Sequence, residues 1–263
     1  MTNEIYGINY LRRRLADKQT RVLLRYKYYE MKNNAQDFSS LAPEKFKGLK
    51  ETVGWCAKAV DSLADRLQFD EFQNDEFNLS EIFLSNNQDI LIDSAVLSAL
   101  ISACSFVYIR EDNGYPRLQV IDGSNATGII DPVTNLLTEG YAVLERDSMG
   151  VVKTEAYFMA GMTEIYSHGV LVQRIPNAAP YALLVPIIYR PDAKRPFGHS
   201  RISRACIAYT QTALRTIKRS EVSAEFYSFP QKYVLGLSED AEFNNRLATI
   251  SSFLNFTKDG DGD

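Results

Sequence analysis

Between Ala193 and Arg219 the chain carries Lys194, Arg195, Arg201, Arg204, Arg215, Lys218 and Arg219, and no acidic residue. Arg201, Arg204, Ala208, Gln211, Arg215 and Lys218 follow one another at steps of three and four. That spacing makes one stripe along an α-helix. Ile202, Cys206, Tyr209, Ala213 and Ile217 make a second, small and apolar stripe suited to packing. A helix with these two faces can bridge to acids on a neighbour, or face phosphates without reading bases. Ser200 is the expected N-cap and Pro230 the stop. The helix is therefore expected over Ser200 to Ser228, roughly 43 Å long at about 1.5 Å per residue.

Other chemistry has less to stand on. There is no phosphate loop, no G-x-G-x-x-G and no G-x-S-x-G nucleophile elbow. Histidine occurs only as His168 and His199, which disfavours a histidine-rich metal site or a histidine-driven hydrolase. Asp70/Glu71 and Asp75/Glu76 lie in polar sequence and read as solvated loop charges rather than a catalytic pair. Asp259-x-Asp261-x-Asp263 imitates the opening of a calcium loop without the acid that closes one, and reads as an acidic turn. Asp122-Gly123-Ser124-Asn125 also reads as a turn. No catalytic residue, metal or cofactor is expected.

The elements that must position the basic helix fall into an ordered series. Ile8 to Lys32 reads as a helix with Tyr10, Leu11, Leu15, Val22, Leu23, Tyr26 and Tyr29 apolar, and with basic residues on its other faces that make either a solvated face or a contact surface for an acidic partner or nucleic acid. After a loop from Asn33, a second helix is expected from about Pro43 to Gln68, with Val53, Ala57, Val60, Leu63, Ala64 and Leu67 buried and Trp55 used for packing. Helical pieces follow at Leu79–Gln88 and Asp89–Cys104. The apolar run Ile90–Ile109 is long enough to span a bilayer. It holds Asp93 and a stripe of Ser94, Ser98, Ser102 and Ser105 beside Ala95, Ala99 and Ala103, so a packed helix followed by a strand is the expectation.

The period then changes. β-rich runs at 106–110, 117–121, 126–131, 140–146, 151–158, 163–168 and 170–174 are separated by Asn-Gly, Asp-Gly, Asp-Pro and His-Gly turn signals. Short connections favour an antiparallel meander. The apolar/polar alternation within the runs is imperfect. Five prolines between Pro176 and Pro196 mark an extended crossover with one apolar strand at 182–189. A strand at Lys232–Leu237 and an acidic helix from Ser238 to Phe253 follow. The final residues read as a hairpin-like turn with its partner strand missing, so a truncated chain is expected.

The chain has 263 residues, 45% hydrophobic and 24% charged, with a net charge of −4. This is the balance of a globular α+β protein and excludes disordered, collagenous and disulfide-dense classes. It also argues against a small basic protein that coats nucleic acid, without excluding a local basic surface. Cys56, Cys104 and Cys206 are odd in number and show no C-x-x-C, as suits a reducing compartment.

Four blocks carry a family resemblance. Arg25-Tyr26-Lys27-Tyr28-Tyr29-Glu30 resembles an R-Y-Y-x-G opening, although Met31 follows where the family has its glycine. Val60-Asp61-Ser62-Leu63-Ala64-Asp65-Arg66-Leu67 is similar to V-D-x-L-A-D-R-L. Gly198-His199-Ser200-Arg201-Ile202 is similar to G-x-S-R-I. Ala224-Glu225-Phe226-Tyr227-Ser228-Phe229-Pro230-Gln231-Lys232-Tyr233-Val234-Leu235-Gly236 is similar to A-E-F-Y-A-x-P-Q-R-Y-V-L-G. In this order they resemble the portal, or head-to-tail connector, proteins of tailed bacteriophages of the SPP1-like type.

The resemblance implies a portal-type fold. Residues 1–195 would form a wing, 196–229 a stem helix and 230–263 the start of a clip. It implies a non-enzymatic subunit of a homo-oligomeric, dodecameric ring at one capsid vertex of the virion, assembled in the host cytoplasm. Double-stranded DNA would pass non-specifically through the ring. Partners would be the terminase large subunit, head-tail adaptor, major capsid and scaffold proteins, with no membrane. Arg201, Arg204, Arg215, Lys218 and Arg219 would line the channel or bridge subunits, the second being favoured. Lys232, Tyr233, Glu239 and Asp240 would face clip partners. The alternatives are a DNA-binding or phage structural protein of another type, an enzyme acting on nucleic acid or phosphate, and a membrane-associated helical protein.

Overall fold

In a computed structural model, which describes residues 5–33, 51–228, 232–237 and 253–257, the basic N-terminal segment forms α1 (Ile8–Tyr29). Leu11, Leu15, Val22 and Tyr28 are its buried residues. Tyr10 and Leu23, expected on that face, are exposed. The second helix is α2 (Trp55–Ala64), shorter than expected. Residues 51–53 are not helical, and the part of the expectation over residues 34–50 lies outside the described residues. Cys56 and Val60 are buried, whereas Trp55 is 55% exposed and does not serve the packing role expected of it.

α3 (Leu79–Ser85) and α4 (Gln88–Ser102) follow. α4 is buried along Ala95, Ser98, Ala99 and Ser102, so the small-residue stripes are its packing faces. Hydroxyls of the serine stripe pair with carbonyls of the same helix. Ser102 Oγ donates to the Ser98 carbonyl at 2.7 Å, and Ser105 Oγ to the Ala95 carbonyl at 2.7 Å. No helix among the described residues is long and apolar enough to cross a membrane.

The class is α+β. β1 (Cys104–Asp112) pairs antiparallel with β2 (Tyr115–Ile121) through Asn113 and Gly114, which both take positive φ, as a two-residue hairpin turn requires. The remaining strands of the middle region are β3 (Ala126–Ile130), β4 (Leu137–Arg146), β5 (Val152–Met159), β6 (Met162–Ser167), β7 (Val170–Pro176) and β8 (Leu184–Ile188). Five of the seven expected runs, β3 to β7, form an antiparallel meander in sequence order, whereas β1 and β2 stand in a separate sheet that β8 joins on the other side of β1. Ala142, Ala156 and Phe158 enter a core with Phe106, Tyr108 and Leu184. Tyr141, Val143 and Tyr157 enter another, with Leu11 and Leu15 of α1. Burial on both faces explains why the central strands alternate poorly in sequence.

The face toward α1 is polar as well as aromatic. Glu139 and Tyr141, Glu155 and Tyr157, and Glu164 and Tyr166 each sit two residues apart on β4, β5 and β6. Tyr157 donates to Glu139 at 2.6 Å, Tyr141 to Glu155 at 2.5 Å and Tyr166 to Glu164 at 2.7 Å. The Glu139 carboxylate also accepts from the backbone N–H groups of Tyr6 (2.8 Å) and Gly7 (2.9 Å), at the start of α1. Glu155 pairs with Arg12.

α5 (Arg204–Ser228), β9 (Lys232–Leu237) and β10 (Phe253–Thr257) complete the described elements. β10 was not expected. It pairs parallel with β9. A parallel pair needs a crossover, and the acidic helix expected there lies outside the described residues. The chain divides into two compact units, Met1–Asn33 with Val53–Thr210, and Asn34–Thr52 with Gln211–Asp263.

Glu139→Ala removes a buried acceptor from three donors. It is expected to cost about 1–3 kcal/mol. The urea midpoint falls, and amide exchange at Gly7 accelerates before global unfolding. Unchanged protection at Gly7 would show that the carboxylate does not anchor α1.

Candidate functional site

The basic helix begins four residues later than expected. Ser203, not Ser200, is its cap, accepting from Cys206 N at 3.1 Å. Ser200 is engaged elsewhere: its hydroxyl donates to the Ile101 carbonyl at 2.5 Å and accepts from Ile202 N at 3.0 Å. The backbone N–H of Arg201 donates to the Leu100 carbonyl at 2.8 Å. Arg25 Nη1 donates to the Ser102 carbonyl at 2.8 Å. The last turn of α4 would otherwise end with unpaired carbonyls. Donors from two distant segments close it, and both segments are blocks of the family resemblance.

A third block joins them. Tyr28, Val60 and Ile202 share one buried cluster with Leu100 and Ile101. Tyr29 donates to Asp61 at 2.9 Å, and Arg201 Nε to the Ala59 carbonyl at 3.0 Å. The Tyr26 hydroxyl meets Ser98 Oγ at 2.8 Å. Burial pushes Tyr26 up to about 12. Burial, then the hydrogen bond to Asp61, pushes Tyr29 up to about 12 as well. Cys56 and Cys206, far apart in sequence, lie with sulfurs 3.3 Å apart as free thiols. Burial raises Cys56 to about 11 and keeps it protonated.

The expected site residues separate into groups. Arg201 precedes α5 and is exposed. Arg204, Arg215 and Arg219 are exposed on α5. Lys218 is 2% exposed and lies in a buried row with Thr210 and Leu214. Of the expected packing stripe, Ile202 is buried, but Tyr209 is 69% and Ile217 38% exposed. The buried face is therefore turned away from Tyr209. Lys232 and Tyr233 stand at the start of β9, opposite Phe253 and Leu254 of β10. Glu239 and Asp240 lie outside the described residues, as does the Asp259–Asp263 turn.

Asp75 does more than carry a solvated charge. Its carboxylate accepts from the backbone N–H groups of Leu79 (2.6 Å) and Ser80 (2.8 Å), which hold it below the usual carboxylate range. Asp122 closes its turn as expected, accepting from Ser124 N at 2.6 Å. The buried glutamates facing α1 were missed. The repeated Glu-x-Tyr, at the period of a strand, was the signal available for them. Each carboxylate is held by a tyrosine and by a donor from elsewhere in the fold, an anchoring arrangement. Among the described residues, no group of three or more His, Cys, Asp or Glu is placed to hold a metal ion. No protein-family model matches the chain, and no curated protein matches it.

Two tests follow from this geometry. Gly198 has φ +73°, and a Cβ there would lie 2.2 Å from the Tyr189 carbonyl oxygen. Gly150 has φ +81° with open space around it. Gly198→Ala is expected to cost more than about 1 kcal/mol, and clearly more than Gly150→Ala. Equal melting temperatures for the two variants would contradict tight docking of this loop. The second test is alkaline. Tyr26 and Tyr29 hold their protons in the folded state above the unfolded value of about 10. Their contribution is complete below that pH and is lost between about pH 10 and 12, as the unfolded chain ionises first. Melting temperature should fall across that window, less steeply in Tyr26→Phe. Full phenolate absorbance near pH 10 at constant melting temperature would refute the assignment.

Proposed function

We propose that the chain is a subunit of a phage portal ring, non-enzymatic, with residues 1–195 as wing, 196–229 as stem and 230–263 as the start of the clip. The observation that carries this reading is the meeting of the family-like blocks. Chance matches at separate places in a chain have no reason to converge. Here Tyr28, Val60 and Ile202, from three blocks, share one core. Donors from two of those blocks close the same helix end. The fourth block runs from the last turn of α5 into β9.

A second observation favours a ring. Tyr209 and Ile217 are large apolar residues left exposed on the stripe expected to pack. A neighbouring subunit's helix would cover them through a heterologous contact, as cyclic assembly requires. On this reading Arg215 and Arg219 bridge to acids on the next subunit, while Arg204 lines a cleft of its own chain. The ring holds a channel of fixed width, and double-stranded DNA slides through it because few phosphates are gripped at once. Lys232, Tyr233, Glu239 and Asp240 belong to the face that meets the terminase large subunit and later the head-tail adaptor. Major capsid and scaffold proteins surround the wing. The site of action is the capsid vertex of the virion.

Electron microscopy of the purified protein tests this directly. Rings with a central hole are expected, and Tyr209→Asp with Ile217→Asp should leave folded monomers. Duplex binding should be weak and fall steeply with salt, without sequence preference. Monodisperse monomers at high concentration, or a metal-dependent nuclease or ATPase activity of the purified chain, would overturn the proposal.

A further inference from the structure

A cleft of about 720 Å³ lies between α1 and the segment from Arg195 to Arg204. Its lining includes Arg14, Lys18, Arg21, Arg25, Arg195 and Arg204, against one carboxylate, Asp17. Among the described residues, none of the six cations belongs to an ion pair. Those with partners lean on neutral groups. Lys18 Nζ donates to the Ala126 carbonyl at 2.6 Å and stands 5.3 Å from the centre of the Phe106 ring. The Arg14 guanidinium lies 5.5 Å from the Phe197 ring centre. Arg25 caps the Ser102 carbonyl, and Arg195 Nη1 lies 3.3 Å from His199 Nδ1. His199 Nε2 in turn lies 2.5 Å from Oδ2 of the nearby Asp192. Ser203 and Arg204, at the positive end of the α5 dipole, also line the cleft.

The cations crowd one another. Burial first, with Arg14 and Arg21 adding to it, pushes the Lys18 ammonium below its usual value. Burial, then Arg21, does the same to the Arg25 guanidinium. A fold that gathers six cations with Asp17 as the one carboxylate in the lining leaves an attractive field for a multivalent anion. Guanidinium groups suit phosphate oxygens through paired donors. The volume lies within the range of small-molecule sites, larger than a lone ion needs.

We propose that this cleft binds a phosphate-bearing polyanion, its phosphates held by Arg14, Arg21, Arg195 and Arg204 around Lys18. The source is either a nucleic-acid backbone or a free polyphosphate. The site goes beyond the ring-subunit reading and does not rest on it.

The test uses the full chain with two probes, pyrophosphate by calorimetry and a labelled oligonucleotide of about 20 nucleotides by anisotropy, at about 50 and 200 mM salt. Arg21 and Arg195 are exposed, so the double variant Arg21→Glu/Arg195→Glu should fold. It should weaken binding by about 10- to 100-fold. Arg13→Glu/Arg66→Glu changes net charge equally outside the cleft and should bind as the parent does. Pyrophosphate bound alone, or displacing the oligonucleotide, supports the site and identifies free phosphate chemistry as sufficient. An oligonucleotide bound through Arg21 and Arg195 that pyrophosphate does not displace supports it and identifies a backbone. Binding of neither probe overturns the proposal. So does equal loss in both double variants, or self-association that depends on Arg21 and Arg195 with no phosphate bound. Ring formation in the microscope is read separately and decides only the portal reading.

Discussion

The end of α4 imposes a demand that much of the first unit is arranged to meet. Its last turn is buried, so the carbonyls of Leu100, Ile101 and Ser102 cannot turn to water. An unpaired carbonyl there would cost what a lost hydrogen bond costs. The donors come from the backbone of Arg201, the hydroxyl of Ser200 and the guanidinium of Arg25. Two of these precede α5 and one lies on α1. Satisfying one helix end thus fixes where a helix distant in sequence begins. It also explains why Ser200 is not a cap: its hydroxyl is already committed to α4. The close approach is possible because α4 presents Ala95, Ala99 and Ser98 rather than larger side chains.

α1 raises a second electrostatic demand. It is cationic along its length, yet it covers a sheet face. A charge left unpaired under it would be expensive. Two of the sheet's carboxylates stand where α1 can use them. Glu139 meets the helix start, where the positive pole favours an anion, and Glu155 meets Arg12. Tyrosine hydroxyls fill remaining acceptor positions, so the glutamates are neither free nor exposed. On the other side of α1 no such acids are provided, and the cleft cations remain outward of any internal pair.

The strands and hairpin turns were legible because Asn113-Gly114 and His168-Gly169 need positive φ, which few other pairs tolerate. The helices were legible from their period. Boundaries failed where a side chain had a tertiary partner, as at Ser200, or where a helix began at a glycine, as at Trp55. The orientation of α5 failed for a related reason. Tyr209 and Ile217 look like core residues from spacing alone, but Thr210, Leu214 and Lys218 are the buried row. β10 was missed because parallel pairing across a crossover leaves no local signal. The basic cleft was also hidden. Its cations come from residues 14–25, whose basic face the sequence already offers as a contact surface, and from 195–204, and only the fold adds them together.

Arg215 and Arg219 of α5 and the cleft cations have different physical consequences, and both belong to one acidic chain. Binding to a polyanion strengthens with each phosphate neutralised, and its salt dependence steepens in proportion. On α5 past Arg204 the exposed cations are Arg215 and Arg219, with Lys218 buried between them, so on the proposed ring reading a passing duplex would meet few of them at once. The cleft gathers six cations around one carboxylate. Six to ten phosphate contacts are enough for about 10³–10⁵ in affinity to depend on moderate salt. Such a site holds its ligand and does not let it slide. If Arg215 and Arg219 face moving DNA, a site that grips phosphates as the cleft does serves another purpose than that passage. Its ligand is therefore something retained, a fixed polyanion or a short segment held beside the route, and the net charge of −4 keeps the rest of the surface from competing for it.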